Sequence, residues 1–224
     1  MPDPTSSSTT TLPAGMVSPE IRAELAKPNP DYYVFFGLPE SLQIDLQELQ
    51  RIFYERSRLL HPDRFARANA ADRARSIEAS SVLNDGYRTL RDPLRRAEYV
   101  LSRHGFNIGE QRSSNVPPEL LEEVFELNMA LEELRSGDED ARSQLEEARE
   151  RFLAMQNEID NTVESLFARW DEAKRAGTSD AENSAGEPAS KSILSEIRSA
   201  LNRRRYIQNL VRDVEAALAG VSAS

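Results

Sequence analysis

Between Leu145 and Trp170, apolar residues recur at intervals of three and four: Leu145, Ala148, Phe152, Met155, Ile159, Val163, Leu166 and Trp170. No strand accommodates that spacing, because strand side chains alternate with a period of two. A helix places all eight on one stripe, and a stripe sustained that long calls for antiparallel helical neighbours to cover it. One such neighbour is predicted over Pro118–Arg135, with Leu120, Val124, Leu127, Leu131 and Leu134 on its stripe and Gly137 ending it. Another runs from about Lys191 to Leu218 and buries Ile193, Ile197, Ala200, Ile207, Val211 and Val214. Residues 176–190, rich in Gly, Ser, Ala and Asn, read as a flexible loop between helices.

The first half of the chain carries shorter helical patterns. Asp31 is placed to cap an apolar helix over Tyr32–Phe36, which Gly37-Leu38-Pro39 ends. Asp45 opens a longer helix with Leu46, Leu49, Phe53 and Leu60 on one face and Arg51, Glu55 and Arg58 on another. Pro62 ends it by disfavouring helical geometry in the residue before it. A third helix, from about Asp72 to Leu90, has Ala79, Leu83, Tyr87 and Leu90 as its stripe. Asp92-Pro93 breaks it, and a fourth starts at Pro93 and stops near His104-Gly105. The fold class is therefore all-α. Residues 1–30 read as a mostly disordered tail, with one short helix from Ser18 to Lys27. Residues 31–105 form one module, 106–117 a linker, 118–218 a helical bundle and 219–224 a tail. A shift in charge supports the division: 31–105 holds 12 Arg against 11 acidic residues, whereas 106–175 holds 8 basic against 18 acidic.

Composition narrows the function. The formal net charge of −10 argues against non-specific nucleic-acid binding. With no Cys, disulfides and thiolate-held metals are excluded. No apolar run approaches the roughly 20 residues that a membrane-spanning helix needs. The first 15 residues contain no Lys or Arg, unlike a secretory or mitochondrial leader. The expected setting is thus a soluble intracellular one.

One loop stands out. His61-Pro62-Asp63-Arg64 lies between two predicted antiparallel helices. Proline stiffens the turn, so His61 and Asp63 project as a polar pair with little freedom to lose on binding. Asp63 suits an arginine on a partner, and His61 offers a donor and an acceptor near neutral pH. The tripeptide alone can also be simply a turn. A His–Asp catalytic dyad has no nucleophile to serve, since there is no Cys and no Ser in a nucleophile-elbow context. A metal would need more ligands than this pair.

The surroundings of the loop are more specific. Asp31-Tyr32-Tyr33-Val34-Phe35-Phe36-Gly37-Leu38-Pro39 precedes it, and the helix before it bears Arg51, Arg56 and Arg58. Asn84, Tyr87, Leu90, Asp92-Pro93, Arg96-Ala97 and Tyr99 follow. The ensemble resembles a J-domain, the module that stimulates ATP hydrolysis by DnaK-class chaperones. His61-Pro62-Asp63-Arg64-Phe65, Pro93-Leu94-Arg95-Arg96-Ala97-Glu98-Tyr99 and His104-Gly105 further resemble the HscB family of iron–sulfur cluster assembly. The resemblance covers roughly residues 31–218. It implies a J-domain followed by a C-terminal three-helix bundle, no catalysis and no cofactor. It also implies two partners: an ATPase chaperone of the DnaK/HscA type and an iron–sulfur scaffold protein. His61, Pro62, Asp63, Arg64, Arg51, Arg56 and Arg58 would meet the chaperone. Some eukaryotic relatives carry a Cys-based zinc module that this chain lacks, which points to the bacterial cytoplasm rather than the mitochondrial matrix.

A second row, Leu121, Phe125 and Met129, is turned about 100° from the core stripe of its helix. It is either an extension of the core or a contact surface, with Glu122, Glu126 and Glu133 beside it. By the resemblance, Leu121, Phe125, Glu126, Glu133 and Tyr206 would hold the scaffold, while Met129 stands where relatives often carry an acid. A J-domain co-chaperone with another client, or a non-catalytic helical adaptor, are the alternative readings.

Overall fold

A computed structural model describes residues 23–25, 27–106, 117–138, 140–179 and 186–221. Among these, every regular element is helical, and they fall into two compact units that divide between Arg96 and Ala97.

In the first unit, α1 spans Tyr32–Phe36. The Asp31 carboxylate accepts from the backbone N–H groups of Tyr33 (2.8 Å) and Val34 (3.3 Å), as the N-cap expectation required. Gly37 ends the helix in the left-handed region at φ 65°, where Leu38 N–H returns to Tyr33 O at 2.9 Å. Helix α2 spans Leu46–Leu60 behind an Asp45 cap, and α3 spans Ala70–Arg91 behind Asn69. Asn69 and Asp72 exchange hydrogen bonds of 2.8 and 2.9 Å, so α3 starts two residues before the sequence suggested. Helices α2 and α3 pair antiparallel: Phe53 stacks on Tyr87 with ring centroids 4.2 Å apart, while Leu60 meets Ser76.

The core of this unit holds Tyr33, Phe35, Phe36, Leu42, Leu49, Ile52, Leu60, Phe65, Ala79, Leu83 and Leu90. Gly86 lies where α1 presses on α3; a Cβ there would sit 2.9 Å from the Phe36 ring and 3.0 Å from that of Tyr32. Arg96 is buried at the start of α4, which spans Pro93–Arg103. It donates to the carbonyls of Leu42 and Leu90, joining three segments through one side chain. Leu46 departs from its predicted stripe and is exposed; Ile52 fills the core instead. Residues 23–25 are helical, and Glu24 is buried, bonding Lys27 Nζ at 2.7 Å and the Asp31 backbone N–H. Helical structure is thus present before position 31; residues 1–22 and 26 of the expected tail lie outside the described residues.

The second unit contains a short 3-10 turn, Pro118–Leu120, then α5 (Leu121–Arg135), α6 (Asp140–Ser179) and α7 (Gly186–Val221). Helices α6 and α7 form a long antiparallel pair, with α5 packed mainly on α6. Ion pairs record the register: Arg149–Glu215 at 2.9 Å, Arg204–Asp160, and Arg169–Glu196 at 3.1 Å. As the α6 number rises, its α7 partner falls almost in step. The predicted α6 stripe is buried except Met155, which is half-buried, and Phe167 and Asp171 join it. On α7, Ala200 is only half-buried, and Leu194, Leu201 and Leu210 complete the core.

The end of α4 belongs to this unit. Glu98 pairs with Arg205 at 2.7 Å, His104 meets the Trp170 edge at 5.9 Å, and Arg198 covers Phe106 at 5.5 Å. Composition had suggested a linker at 106–117, of which 107–116 lie outside the described residues. Of the loop expected at 176–190, residues 176–179 belong instead to α6 and 186–190 to α7, while 180–185 lie outside the described residues. Once two helices are nucleated by packing, each further turn adds at little cost, even through weak helix formers.

Candidate functional site

The first candidate site is the turn between α2 and α3. Pro62 forces His61 out of the helix, to φ −59° and ψ 129°, and opens a 3-10 turn over Pro62–Phe65. The turn is closed by Arg64 N–H to His61 O at 3.0 Å and by Asp63 N–H to His61 Nδ1 at 3.3 Å. The histidine ring therefore caps the turn that carries Asp63. Phe65 is buried beneath and fixes the far end, while Arg64 reaches back to the Arg58 carbonyl at 3.3 Å. The near end is fixed by two hydroxyls that sequence reading missed. Ser76 and Ser80, one turn apart on α3, both donate to Leu60 O, at 2.7 and 3.0 Å. That carbonyl is one of the orphan acceptors at the end of α2. The serines were legible only as polar residues near an apolar stripe, and nothing local names their acceptor.

On this frame the polar pair points outward. The His61 side chain is 55% exposed and that of Asp63 90%, with 3.4 Å between Nδ1 and Oδ2. A rigid turn with an exposed carboxylate can engage a partner cation without first losing conformational freedom.

The three arginines of α2 are not equivalent. Arg51 is exposed but spans Glu48 and Glu55, both at 2.6 Å, and its guanidinium is held more firmly protonated, chiefly by the hydrogen bond to Glu48. Arg56 is half-buried, lies 5.9 and 6.0 Å above the rings of Phe35 and Phe36, and has its pKa pushed down by that burial. It supports α1. Arg58 and Arg64 are exposed and enter no ion pair among the described residues.

The second candidate site is on α5. Leu121, Phe125 and Met129 are 55%, 65% and 50% exposed, while Leu127 and Ala130 face the core. Their spacing of four puts them on one exposed row. The alternatives left by sequence, core or surface, are thereby resolved in favour of surface. Glu126 pairs with Arg151 at 3.3 Å, and Glu122 is exposed beside the row. Glu133 is half-buried. Tyr206 on α7 is also half-buried, its phenol pKa raised first by burial and then by Asp213. Among the described residues, no cluster of three or more His, Asp or Glu could hold a metal. Nor is any described helix long and apolar enough to cross a membrane.

Residues 116–178 match the model of the HSCB C-terminal oligomerisation domain. The chain is similar over most of its length to the chaperone HscB from Vibrio cholerae: 27% identity, a TM-score of 0.54, 85% of this chain and 99% of the other. In fold, and in its C-terminal domain, the chain is similar to the HscB family. Its similarity to the human co-chaperone protein HscB is of the same order, with 26% identity, a TM-score of 0.58, and 85% and 83% coverage. This HscB-type chain is thus an all-helical co-chaperone whose bundle follows a helical first unit. The exposed turn and the apolar row are features of its own sequence.

Proposed function

We propose that the His61-Pro62-Asp63 turn stimulates ATP hydrolysis by a DnaK/HscA-type chaperone, and that the α5 row delivers an iron–sulfur scaffold protein to it. The observation that carries the first part is the capped, anchored turn with Asp63 90% exposed. A carboxylate so displayed fits an arginine on the partner, and truncating one side of such a contact costs about 2–5 kcal/mol at an interface. Arg58 and Arg64 flank the turn and would steer an acidic chaperone surface; Arg51, already shared between two glutamates, would add less.

The second part rests on three apolar side chains left in water beside acids in a family of co-chaperones. Such a row would bind a complementary apolar surface, with Glu126, Glu133 and Tyr206 at its margin. The chain itself would carry out no bond chemistry: it would bring two partners together and trigger one of them. Turnover of the partner ATPase, measured with wild type and Asp63→Asn, tests the first part. Calorimetry against the purified scaffold tests the second. Full stimulation by a folded Asp63→Asn variant would refute the trigger, and absence of heat with wild type would refute the client.

A further inference from the structure

This chain uses arginine almost exclusively for positive charge: 25 arginines against 3 lysines, with 2 histidines. One lysine, Lys27, lies in the first unit, 2.7 Å from Glu24. The other two, Lys174 and Lys191, line a single cavity of about 360 Å³ in the second unit, together with His104. Ser190 adds a hydroxyl, and Ala173, Gly177 and Leu194 an apolar wall. This concentration arises in a strongly acidic unit, where the prevailing field would otherwise repel an anion.

The residue types indicate the ligand. A lysine ammonium is a compact charge with three rotatable donors, whereas arginine's planar fork suits the flat carboxylate. Two ammonium groups, an imidazole and a hydroxyl fit a tetrahedral dianion better than a planar monoanion. The apolar wall leaves room for an organic body, and the volume is within the range of small-molecule sites. We propose that this cavity binds a small phosphate monoester, its phosphate held by Lys174, Lys191, His104 and Ser190. The site lies away from the α5 row in sequence and is independent of the function proposed above.

The protein carries its own reporter. Trp170 is the only tryptophan, is fully buried, and lies beneath Lys174 Nζ at 4.8 Å and beside the His104 ring at 5.9 Å. A charge placed between Lys174 and His104 should shift its emission. The full chain would be titrated at constant ionic strength with phenyl phosphate, inorganic phosphate and benzoate. The expected result is a saturable change with phenyl phosphate, weaker with inorganic phosphate and weakest with benzoate. Lys191→Met, at an exposed position on a different helix from Trp170, should weaken binding by on the order of tenfold, the loss of one charge-assisted contact. Lys27→Met should leave it unchanged. A linear response with phenyl phosphate, an equal response in Lys191→Met, or tighter binding of benzoate than of phenyl phosphate would each overturn the proposal.

Discussion

Replacing both Leu121 and Phe125 with alanine separates a contact surface from a core. Truncating a fully buried leucine or phenylalanine costs about 2–5 kcal/mol. Leu121 and Phe125 retain only 45% and 35% of their surface in contact with the protein, the complements of 55% and 65% exposure. Scaled by those fractions, each truncation costs about 1–2 kcal/mol, part of which alanine's higher helix propensity returns. Leu127→Ala, on the same helix at 3% exposure, should cost the full ~2–5 kcal/mol. Urea unfolding followed by Trp170 emission reads this unit directly, since the only tryptophan lies in its core. The double variant should lose scaffold binding in calorimetry while stimulating the chaperone's basal ATPase as wild type does. Destabilisation matching Leu127→Ala would show that the row supports the bundle. Undiminished scaffold affinity in a stable double variant would show that the client binds elsewhere.

Ser76→Ala and Ser80→Ala singly should cost about 1 kcal/mol or less, because either hydroxyl alone satisfies Leu60 O. The double variant strands a buried carbonyl and should cost about 1–3 kcal/mol more than the singles combined; an additive double-mutant cycle would argue against the shared acceptor. Salt should slow association with the chaperone, and Arg58→Gln should slow it more than Arg51→Gln, which stopped-flow rates at two ionic strengths would check. Arg56→Met should change stability by less than ~1 kcal/mol and leave ATPase stimulation intact, since the side chain acts by packing on Phe35 and Phe36; lost stimulation at unchanged stability would return Arg56 to the chaperone contact. Gly86→Ala should destabilise the first unit by about 1–3 kcal/mol through overpacking, seen as a lower midpoint in thermal circular dichroism.

Local signals were enough for much of this protein. Asp31, Asp45 and Pro93 mark helix starts because a cap or a fixed φ acts within four residues, and the stripes on α3 and α6 are legible because helical period and burial coincide over many turns. The His61-Pro62-Asp63 turn was equally visible, since a proline after a helical run dictates its own geometry. Tertiary packing decided what distance in sequence concealed. Leu46 fits its stripe by periodicity yet is exposed, because burial requires a neighbour at that height and not merely the right angle. Arg56 and Arg58 look alike in the sequence, but the rings of α1 lie under only one of them. Arg96 reads as one more basic residue until the carbonyls of Leu42 and Leu90 converge on it. Leu121, Phe125 and Met129 have the hydrophobicity of a core, and the sequence determined only that they share a face. Whether that face meets protein or water depended on where α6 and α7 lay, a matter of long-range packing that no local pattern encodes.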